Sequence, residues 1–277
     1  MRWKQFITPV QSFSPDEAKT FMNGVSGDAF TLLDVRQPRE YHDEHIPGAR
    51  LIPLGELSDR LSEIDRNIPT IVYCAIGGRS RVAAQMLSGK GFTTVYNLKG
   101  GIKAWQDPKA FGSEESGLTL FTGKESITDT LIVAYSLEEG LKAFYLAMIP
   151  QVKNETARDL FKKLSDIETK HQERIYQEYA NITGGGMSRE AFQEKIIEPA
   201  MEGGITIEEF IAMYQPDLDV VEEIISLAMA IEAQALDLYQ RASDRAEKPE
   251  NKTALLQIAN EERSHLEQLG KLFEQIV

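Results

Sequence analysis

The chain has 277 residues, 42% of them hydrophobic and 26% charged, with a net charge of −13. These values are typical of a globular protein long enough for two domains, and no apolar run approaches the length that crosses a bilayer. The single cysteine, Cys74, excludes an internal disulfide, a zinc ribbon and a four-cysteine iron site within this sequence.

Short β-rich runs alternate with helical patterns over residues 1–110. The run Ser14-Pro-Asp-Glu17 predicts a helix start with a capping box. Residues 30–36 and 70–75 predict buried strands, and residues 80–92 predict a short amphipathic helix. A further strand and a turn follow. This alternation predicts a small parallel α/β domain.

A Gly- and Ser-rich stretch at residues 111–124 predicts a linker, and residues 125–277 then show a helical pattern. Four long helices are predicted, at 126–149, 154–181, 219–246 and 249–277. The short connections within the first pair and within the second pair indicate two antiparallel hairpins.

The connection between the second and third long helices is much longer than the others, at about 37 residues. It contains two short predicted helices, at 188–201 and 206–214, the second with a capping box from Thr206 to Glu209. A four-helix bundle with one long crossover is the ferritin-like topology.

Cys74 lies between a predicted strand and a predicted helix, and Gly77, Gly78, Arg79 and Ser80 follow it closely. Such a loop can turn its N–H groups inward at a helix N-terminus, which lowers a thiol pKa and holds an anion. The alternative is a buried strand-end cysteine with no chemical role. The Gly-Gly-Arg-Ser sequence favours the functional interpretation.

Residues 1–110 resemble a single-domain rhodanese, through the segments 32–49, 71–84 and 95–105. The resemblance implies that Cys74 accepts a sulfane sulfur as a persulfide and that Arg79 acts with it. It also implies framework roles for Asp34 and His45. The residues implied to form the substrate-binding loop or to line its approach are Ala75, Ile76, Gly77, Gly78, Ser80 and Arg36.

A protein phosphatase is the rival interpretation of a loop that runs from a cysteine to an arginine. Six residues, counted inclusively, run from Cys74 to Arg79. The related phosphatases use a seven-residue loop, which the larger phosphate requires. We therefore favour sulfur transfer.

Two Glu-x-x-His pairs occur in the second half, at Glu168–His171 and Glu262–His265. A further glutamate lies 30 residues before each pair, at Glu138 and at Glu232, so the whole set repeats after 94 residues. Four carboxylates and two imidazoles in this register can enclose two metal ions within a four-helix bundle.

Two other interpretations of these residues have to be weighed. A single Glu-x-x-His on a helix is most often a solvated pair, and a duplicated bundle can lose its metal. All six groups, however, recur at one period on apolar segments, where they need a counter-charge. Tyr145 and Tyr239 each lie seven residues after a candidate glutamate, either as core aromatics or with hydroxyls bonded to the metal-bound carboxylates.

Residues 125–277 resemble the rubrerythrin branch of the ferritin-like superfamily. This implies a non-haem di-iron site with Glu138, Glu168, His171, Glu232, Glu262 and His265 as ligands, although the same ligands suit manganese or zinc. Two features differ from that family: Ala235 stands where it has an extra glutamate, and the single cysteine cannot build its rubredoxin centre.

The chain is thus predicted to be a sulfurtransferase fused to a di-iron domain that acts on peroxide or dioxygen. The alternative is a rhodanese regulated by a metal-sensing bundle without redox turnover, and a third hypothesis is a dimerisation module with an empty site. We expect a sulfane donor, a thiol or cyanide acceptor, an external electron donor and a homodimer.

We expect neither a nucleic-acid nor a membrane partner, and a cytoplasmic location. Residues 111–277 hold 16 basic and 31 acidic side chains, which repel phosphates. The first ten residues lack a signal-peptide pattern.

Overall fold

A computed structural model describes residues 10–185, 188–195 and 207–276. The chain divides into two units, Met1–Glu115 and Ser116–Val277. Neither unit contains, among its described residues, a helix that is both long and apolar enough to span a bilayer.

A parallel sheet forms the centre of the first unit. Its described strands are β1 (Gln11–Phe13), β2 (Thr31–Asp34), β3 (Arg50–Leu51), β4 (Thr70–Tyr73) and β5 (Val95–Leu98). They lie in the order β1-β5-β4-β2-β3, and every neighbouring pair is parallel. The predicted α/β fold is therefore confirmed. The two edge strands, β1 and β3, went unpredicted because each is too short to show a periodic pattern.

Three helices connect these strands: α1 (Pro15–Asn23), α2 (Pro38–Asp43) and α3 (Gly78–Gly89). The predicted capping box is present at α1, where Ser14 N–H donates to Glu17 Oε2 at 2.8 Å and Glu17 N–H donates to Ser14 Oγ at 3.2 Å. Helix α3 begins two residues earlier than predicted, because Gly77 adopts a left-handed φ of 96° and turns the chain directly into the helix.

Both faces of the sheet are buried, as parallel sheets require. Leu32 belongs to the apolar cluster on one face, whereas Leu33 belongs to the cluster on the other. Cys74 lies in the second cluster together with Ala83 and Ala84 of α3. The end of β4 and the start of α3 are therefore held by packing.

The second unit consists of helices. They are α4 (Ile127–Met148), α5 (Glu155–Thr183), α6 (Arg189–Gln193), α7 (Ile207–Tyr214), α8 (Val221–Arg245) and α9 (Pro249–Ile276). Helix α4 packs along α5, and α8 packs along α9. The four long helices lie within a few residues of their predicted limits, and the predicted ferritin-like class is confirmed.

Polar side chains fix the starts of the first two long helices. Ser126 and Asp129 form a capping box at α4, and Asn154 caps α5 through the N–H groups of Thr156 and Ala157. In the crossover, only part of the predicted helix 188–201 is observed, as α6 (Arg189–Gln193), because residues 194 and 195 form a turn. Its predicted end and the capping residue Thr206 lie outside the described residues.

Candidate functional site

Cys74 follows β4 directly and is 1% exposed. Its Sγ accepts a hydrogen bond from the N–H of Gly77 at 3.1 Å and lies 3.4 Å from Oγ of Ser80. The loop thus curls around the sulfur at the N-terminus of α3. This is the arrangement that the Gly-Gly-Arg-Ser sequence predicted.

Hydrogen bonds to the sulfur decide the acidity of the thiol. Burial alone would raise the pKa of Cys74. The hydroxyl and N–H of Ser80 and the N–H groups of Ile76 and Gly77 oppose this effect and hold the pKa below its ordinary value. A lowered thiol pKa increases the thiolate fraction, which is the nucleophilic form.

A second loop, at residues 101–103, packs against the backbone of the cysteine loop and donates hydrogen bonds to it. The N–H of Ile102 donates to the carbonyl of Cys74 at 2.9 Å, and the N–H of Lys103 donates to that of Ala75 at 3.1 Å. Gly101 has a φ of 60°, and a Cβ on it would lie 2.1 Å from the Cys74 carbonyl oxygen. Only glycine fits there. The carbonyls are held away from the sulfur, so the N–H groups face it.

The guanidinium of Arg79 forms a two-pronged ion pair with Glu40 of α2. The two hydrogen bonds measure 2.7 and 2.6 Å. The pKa of Glu40 is lowered to about 2, and the hydrogen bonds from Arg79 are the main cause. In turn Glu40, and to a smaller extent Cys74, raises the pKa of Arg79. Glu40 was not among the predicted site residues, because no local pattern connects residue 40 with residue 79.

Arg36 is 3% exposed and forms part of the framework behind the loop. Its Nε donates to both carboxylate oxygens of Asp34, at 3.0 and 2.8 Å, and its guanidinium also donates to the carbonyl of Glu44 at 2.6 Å. These contacts fix the orientation of the guanidinium, and a role of Arg36 at the approach to the site stays a prediction. His45 is also fully buried, and its ring stacks on Tyr41 at 3.7 Å.

The six candidate metal ligands lie together inside the second unit. Four helices supply them: Glu138 from α4, Glu168 and His171 from α5, Glu232 from α8, and Glu262 and His265 from α9. All four carboxylates are buried. The 94-residue repeat therefore converges on one cluster in the bundle core.

The cluster has two similar halves. In the first, Nδ1 of His171 lies 3.2 Å from Glu138 Oε2 and 3.2 Å from Glu168 Oε2. In the second, Nδ1 of His265 lies 3.3 Å from Glu262 Oε2 and 3.7 Å from Glu232 Oε2. The two Nε2 atoms are 2.9 Å apart, so the imidazoles join the halves.

The carboxylates strongly perturb one another and the imidazole beside them. Burial, followed by the neighbouring carboxylates, raises the pKa of Glu168 well above its ordinary value. Burial would lower the pKa of His171, but Glu138 and Glu168 raise it to about 11. Burial would also raise the pKa of Glu232, but Glu262 and His265 hold it below its ordinary value. The buried carboxylates therefore need compensating positive charge, which a divalent cation supplies directly.

The residues present fit bound metal. Oε1 of Glu138 and Oε1 of Glu168 are buried and, among the described residues, have no hydrogen-bond partner. Such oxygens are available to a cation. Two groups have ligand atoms that all lie within 4.8 Å of one another: Glu138 with Glu168 and His171, and His171 with Glu262 and His265. Carboxylate and imidazole donors suit iron, manganese or zinc.

The neighbouring Glu139 is separate from this cluster. Its carboxylate accepts a hydrogen bond from Gln172, which in turn accepts one from Lys142 at 3.2 Å. Glu139 therefore has hydrogen-bond partners different from those of Glu138. Ala235 is fully buried in the apolar core of the bundle.

Tyr145 and Tyr239 are both fully buried. The ring centroid of Tyr145 lies 5.5 Å from that of Phe144 and 6.3 Å from that of Phe161. Tyr239 meets Phe121 edge-on at 6.1 Å. Both rings belong to the aromatic core, and the bonding of their hydroxyls to metal-bound carboxylates stays a prediction.

Two family profiles match the chain. "Rhodanese-like domain" matches residues 14–108, and "Rubrerythrin" matches residues 129–273. The protein is therefore a two-domain fusion, as the resemblances predicted. The chain belongs to the rubrerythrin family and carries a rhodanese-like domain before the rubrerythrin domain.

Curated relatives match the rhodanese-like part. Thiosulfate sulfurtransferase GlpE of Ectopseudomonas mendocina is 34% identical over 113 residues, which cover 39% of this chain and 100% of GlpE. "Uncharacterized protein YqhL" of Bacillus subtilis is 50% identical over 74 residues, 27% of this chain and 59% of YqhL. Two others, the putative sulfur carrier protein YrkF of Bacillus subtilis and a chloroplastic rhodanese-like/PpiC protein of Arabidopsis thaliana, are matched over 43% and 34% of their lengths.

Among solved structures, this chain is similar to a rhodanese-like domain protein from Staphylococcus aureus. It is 30% identical and has a TM-score of 0.35, and the match covers 38% of this chain and all of that one.

Proposed function

We propose that the first unit transfers sulfane sulfur through a persulfide on Cys74. The observation that carries this proposal is the ring of donors around Sγ, with the Gly77 N–H at 3.1 Å, at the start of α3. Such a cradle stabilises a sulfur anion whether it is a thiolate or a persulfide. The similarity to a named thiosulfate sulfurtransferase supports the same reaction.

The reaction has two displacement steps. The Cys74 thiolate attacks the outer sulfur of the donor, a new S–S bond forms, and the donor's own S–S bond breaks with its electron pair on the leaving group. An acceptor nucleophile, a thiol or cyanide, then attacks the outer sulfur, and the Cys74 thiolate leaves. The loop N–H groups stabilise the anion in both steps, and Arg79 adds positive charge at the entrance.

Sulfur transfer from thiosulfate to cyanide by the full chain tests this proposal. We expect Cys74→Ser to abolish turnover, because a serine hydroxyl is not ionised at neutral pH and forms no persulfide. His171→Ala is the control, since it alters only the bundle, and it should leave this turnover unchanged. Full turnover by Cys74→Ser would overturn the proposal.

For the second unit we propose a di-iron site held by the six clustered residues, acting on peroxide or dioxygen. Bound iron would supply electrons and open coordination positions. The six residues would hold the ions, and their burial keeps bulk water out of the cluster. The sequence has no second cysteine, so we propose that the reducing electrons come from an external donor.

Metal content and peroxide turnover test this second proposal. We expect about two metal ions per chain by elemental analysis. Glu138→Ala should lose metal and peroxide turnover, whereas Glu139→Ala, one residue along the same helix, should retain both. Metal-free wild type, or equal metal loss in both variants, would contradict the assignment.

A second candidate function is a rhodanese regulated by a bundle that binds metal without redox turnover. Ala235, which replaces a carboxylate that the resemblance leads one to expect, favours it. It predicts that adding metal changes the rate of sulfur transfer and that peroxide is not consumed. Peroxide turnover that His171→Ala abolishes in a folded protein would exclude it.

A further inference from the structure

The hydroxyl of Ser80 lies between two acceptors. Its Oγ is 2.7 Å from Oδ1 of Asn97 and 3.4 Å from Sγ of Cys74. Cys74, Ser80 and Asn97 are all buried, so bulk water does not compete for these contacts. The sequence singles out Cys74 and Ser80, but Asn97 enters the site only through the fold, from β5.

A serine hydroxyl carries one hydrogen. At 2.7 Å the bond to Asn97 has the ordinary length of an O–H···O hydrogen bond, and the 3.4 Å contact with the larger sulfur atom is also within hydrogen-bonding distance, so the two acceptors share one hydrogen. While Cys74 is a thiol, its own S–H can donate to Ser80, and Ser80 donates to Asn97. When Cys74 becomes a thiolate, the sulfur needs the same Ser80 hydrogen that Asn97 holds.

We propose that Asn97 is a positioning residue for the nucleophile: its side-chain carbonyl competes with the Cys74 sulfur for the single hydrogen of Ser80 and so limits the nucleophile's reactivity. The consequence of this competition is a thiol that is less acidic than its cradle alone would make it. This inference rests on the proposed role of Cys74 as the nucleophile.

The backbone keeps this competition in place. Asn97 is paired with Val72 of β4 on one side and with Ser12 of β1 on the other. Its Nδ2 lies on the side of Gly77, 4.0 Å from the position that a Cβ would take there. The same amide therefore lies close to both Gly77 and Ser80, which are two of the residues that donate to the sulfur.

Two ion pairs lie near the loop. Arg79 of α3 pairs with Glu40 of α2, and Asp34 of β2 pairs with Arg36. Substitutions at residue 97 leave all four groups in place. A change in thiol reactivity that depends on Ser80 can then be attributed to the shared hydrogen.

Alkylation of the full chain by iodoacetamide, followed by mass spectrometry across a range of pH, tests the proposal. The sequence has one cysteine, so the reaction reports Cys74 alone. We expect Asn97→Leu to lower the alkylation midpoint by about half a pH unit, which is about threefold in thiolate fraction below the midpoint. Ser80→Ala should raise the midpoint, because it removes the donor.

The double variant distinguishes positioning from a structural effect. On the Ser80→Ala background no hydrogen is shared, so we expect Asn97→Leu to leave the midpoint unchanged. An equal shift on both backgrounds, or no shift on either, overturns the proposal. Asn97→Asp provides a second comparison if Asn97→Leu does not fold. Its carboxylate holds the hydrogen more firmly, so it should raise the midpoint, and by more when Ser80 is present.

The outcome stays separable from that of the proposed sulfur transfer. Thiosulfate:cyanide turnover is measured on the same variants. If the wild type and all variants lack turnover but the alkylation midpoints of the single and double variants shift as expected, the sulfur-transfer proposal fails and the role of Asn97 stands. If turnover is normal but the effect of Asn97→Leu on the alkylation midpoint does not depend on Ser80, only the proposed role of Asn97 fails.

Discussion

The two candidate sites differ in electrostatic character: one stabilises a negative charge, and the other disfavours it. Around Cys74, neutral N–H and O–H donors favour an anion, and the pKa of the thiol is lowered despite burial. In the bundle, four carboxylates are buried together, and the pKa of Glu168 is raised. The first site is therefore prepared for an anion before any substrate arrives, whereas the second is complementary to cations. A protein can build either property from side chains that are equally buried.

The largest expected effect concerns the bundle. Saturating iron(II) under anaerobic conditions should raise the free energy of unfolding by about 4 kcal/mol at a thousandfold excess over Kd. Glu168→Gln should lose this gain while keeping the metal-free stability within about 1 kcal/mol, because the raised pKa already favours a neutral side chain. Far-UV circular dichroism with denaturant, with and without iron, measures both.

Glu139→Gln is the matched control for that experiment, and it should keep the full stabilisation by iron. If iron does not stabilise the wild type, the bundle site is not complementary to cations and the contrast with the cysteine loop is wrong. If it stabilises Glu168→Gln equally, this glutamate is not a ligand.

The next effect concerns the loop behind Cys74. Gly101→Ala should lower the free energy of unfolding of the first unit by about 3 kcal/mol, because its Cβ meets the Cys74 carbonyl and its φ is positive. Alkylation of Cys74 should also slow in the molecules that remain folded. Both tryptophans of the sequence, Trp3 and Trp105, precede residue 116, so their fluorescence follows this unit.

Gly91→Ala provides the comparison, because Gly91 has a φ of 90° with no atom near the position of a Cβ. We expect about 1 kcal/mol of destabilisation and normal alkylation. Equal effects of the two substitutions would show that backbone strain, rather than contact with the cysteine loop, determines the result.

A smaller effect is expected at the entrance to the cysteine site. Glu40→Gln removes the carboxylate that pairs with Arg79 and leaves more positive charge for an anionic donor. The KM for thiosulfate should fall about threefold with little change in kcat, which is the scale of one partly exposed ion pair. Glu63→Gln, which breaks a similar pair with Arg60, is the control. An unchanged KM would show that Arg79 does not act on the donor.

The smallest effect is the pH dependence of stability that Cys74 contributes. The folded pKa of this thiol lies below its unfolded value, so its contribution is present above the unfolded pKa and is lost as pH falls through the folded one. The difference in unfolding free energy between wild type and Cys74→Ala, followed by tryptophan fluorescence, should therefore grow as pH rises toward 9. A flat difference would contradict a lowered pKa.

The sequence predicted those parts of each site whose residues are adjacent or regularly spaced along the chain. The cysteine loop is contiguous, and the bundle ligands share a 94-residue repeat, so both could be located without a structure. The helix limits followed from apolar periodicity and capping residues. The edge strands β1 and β3 could not be predicted, since three and two residues carry no pattern.

What the sequence could not predict are contacts between distant segments. Glu40 meets Arg79 across 39 residues, and Asn97 reaches Ser80 across 17. Gly101 acts on the Cys74 carbonyl through close backbone packing. None of these three positions has a spacing or composition that marks it. Their partners are set by the order of the strands in the sheet, which a periodic pattern does not determine.

The burial of Cys74 also bears on covalent dimerisation. A disulfide needs two sulfur atoms about 2.05 Å apart, and two thiols that are each 1% exposed cannot approach to that distance while both loops stay folded. An oxidant that reaches the chain therefore cannot cross-link two folded copies through this residue. Only a sulfur carried on a small or protruding partner can reach Cys74, so its burial selects such partners and prevents cross-linking.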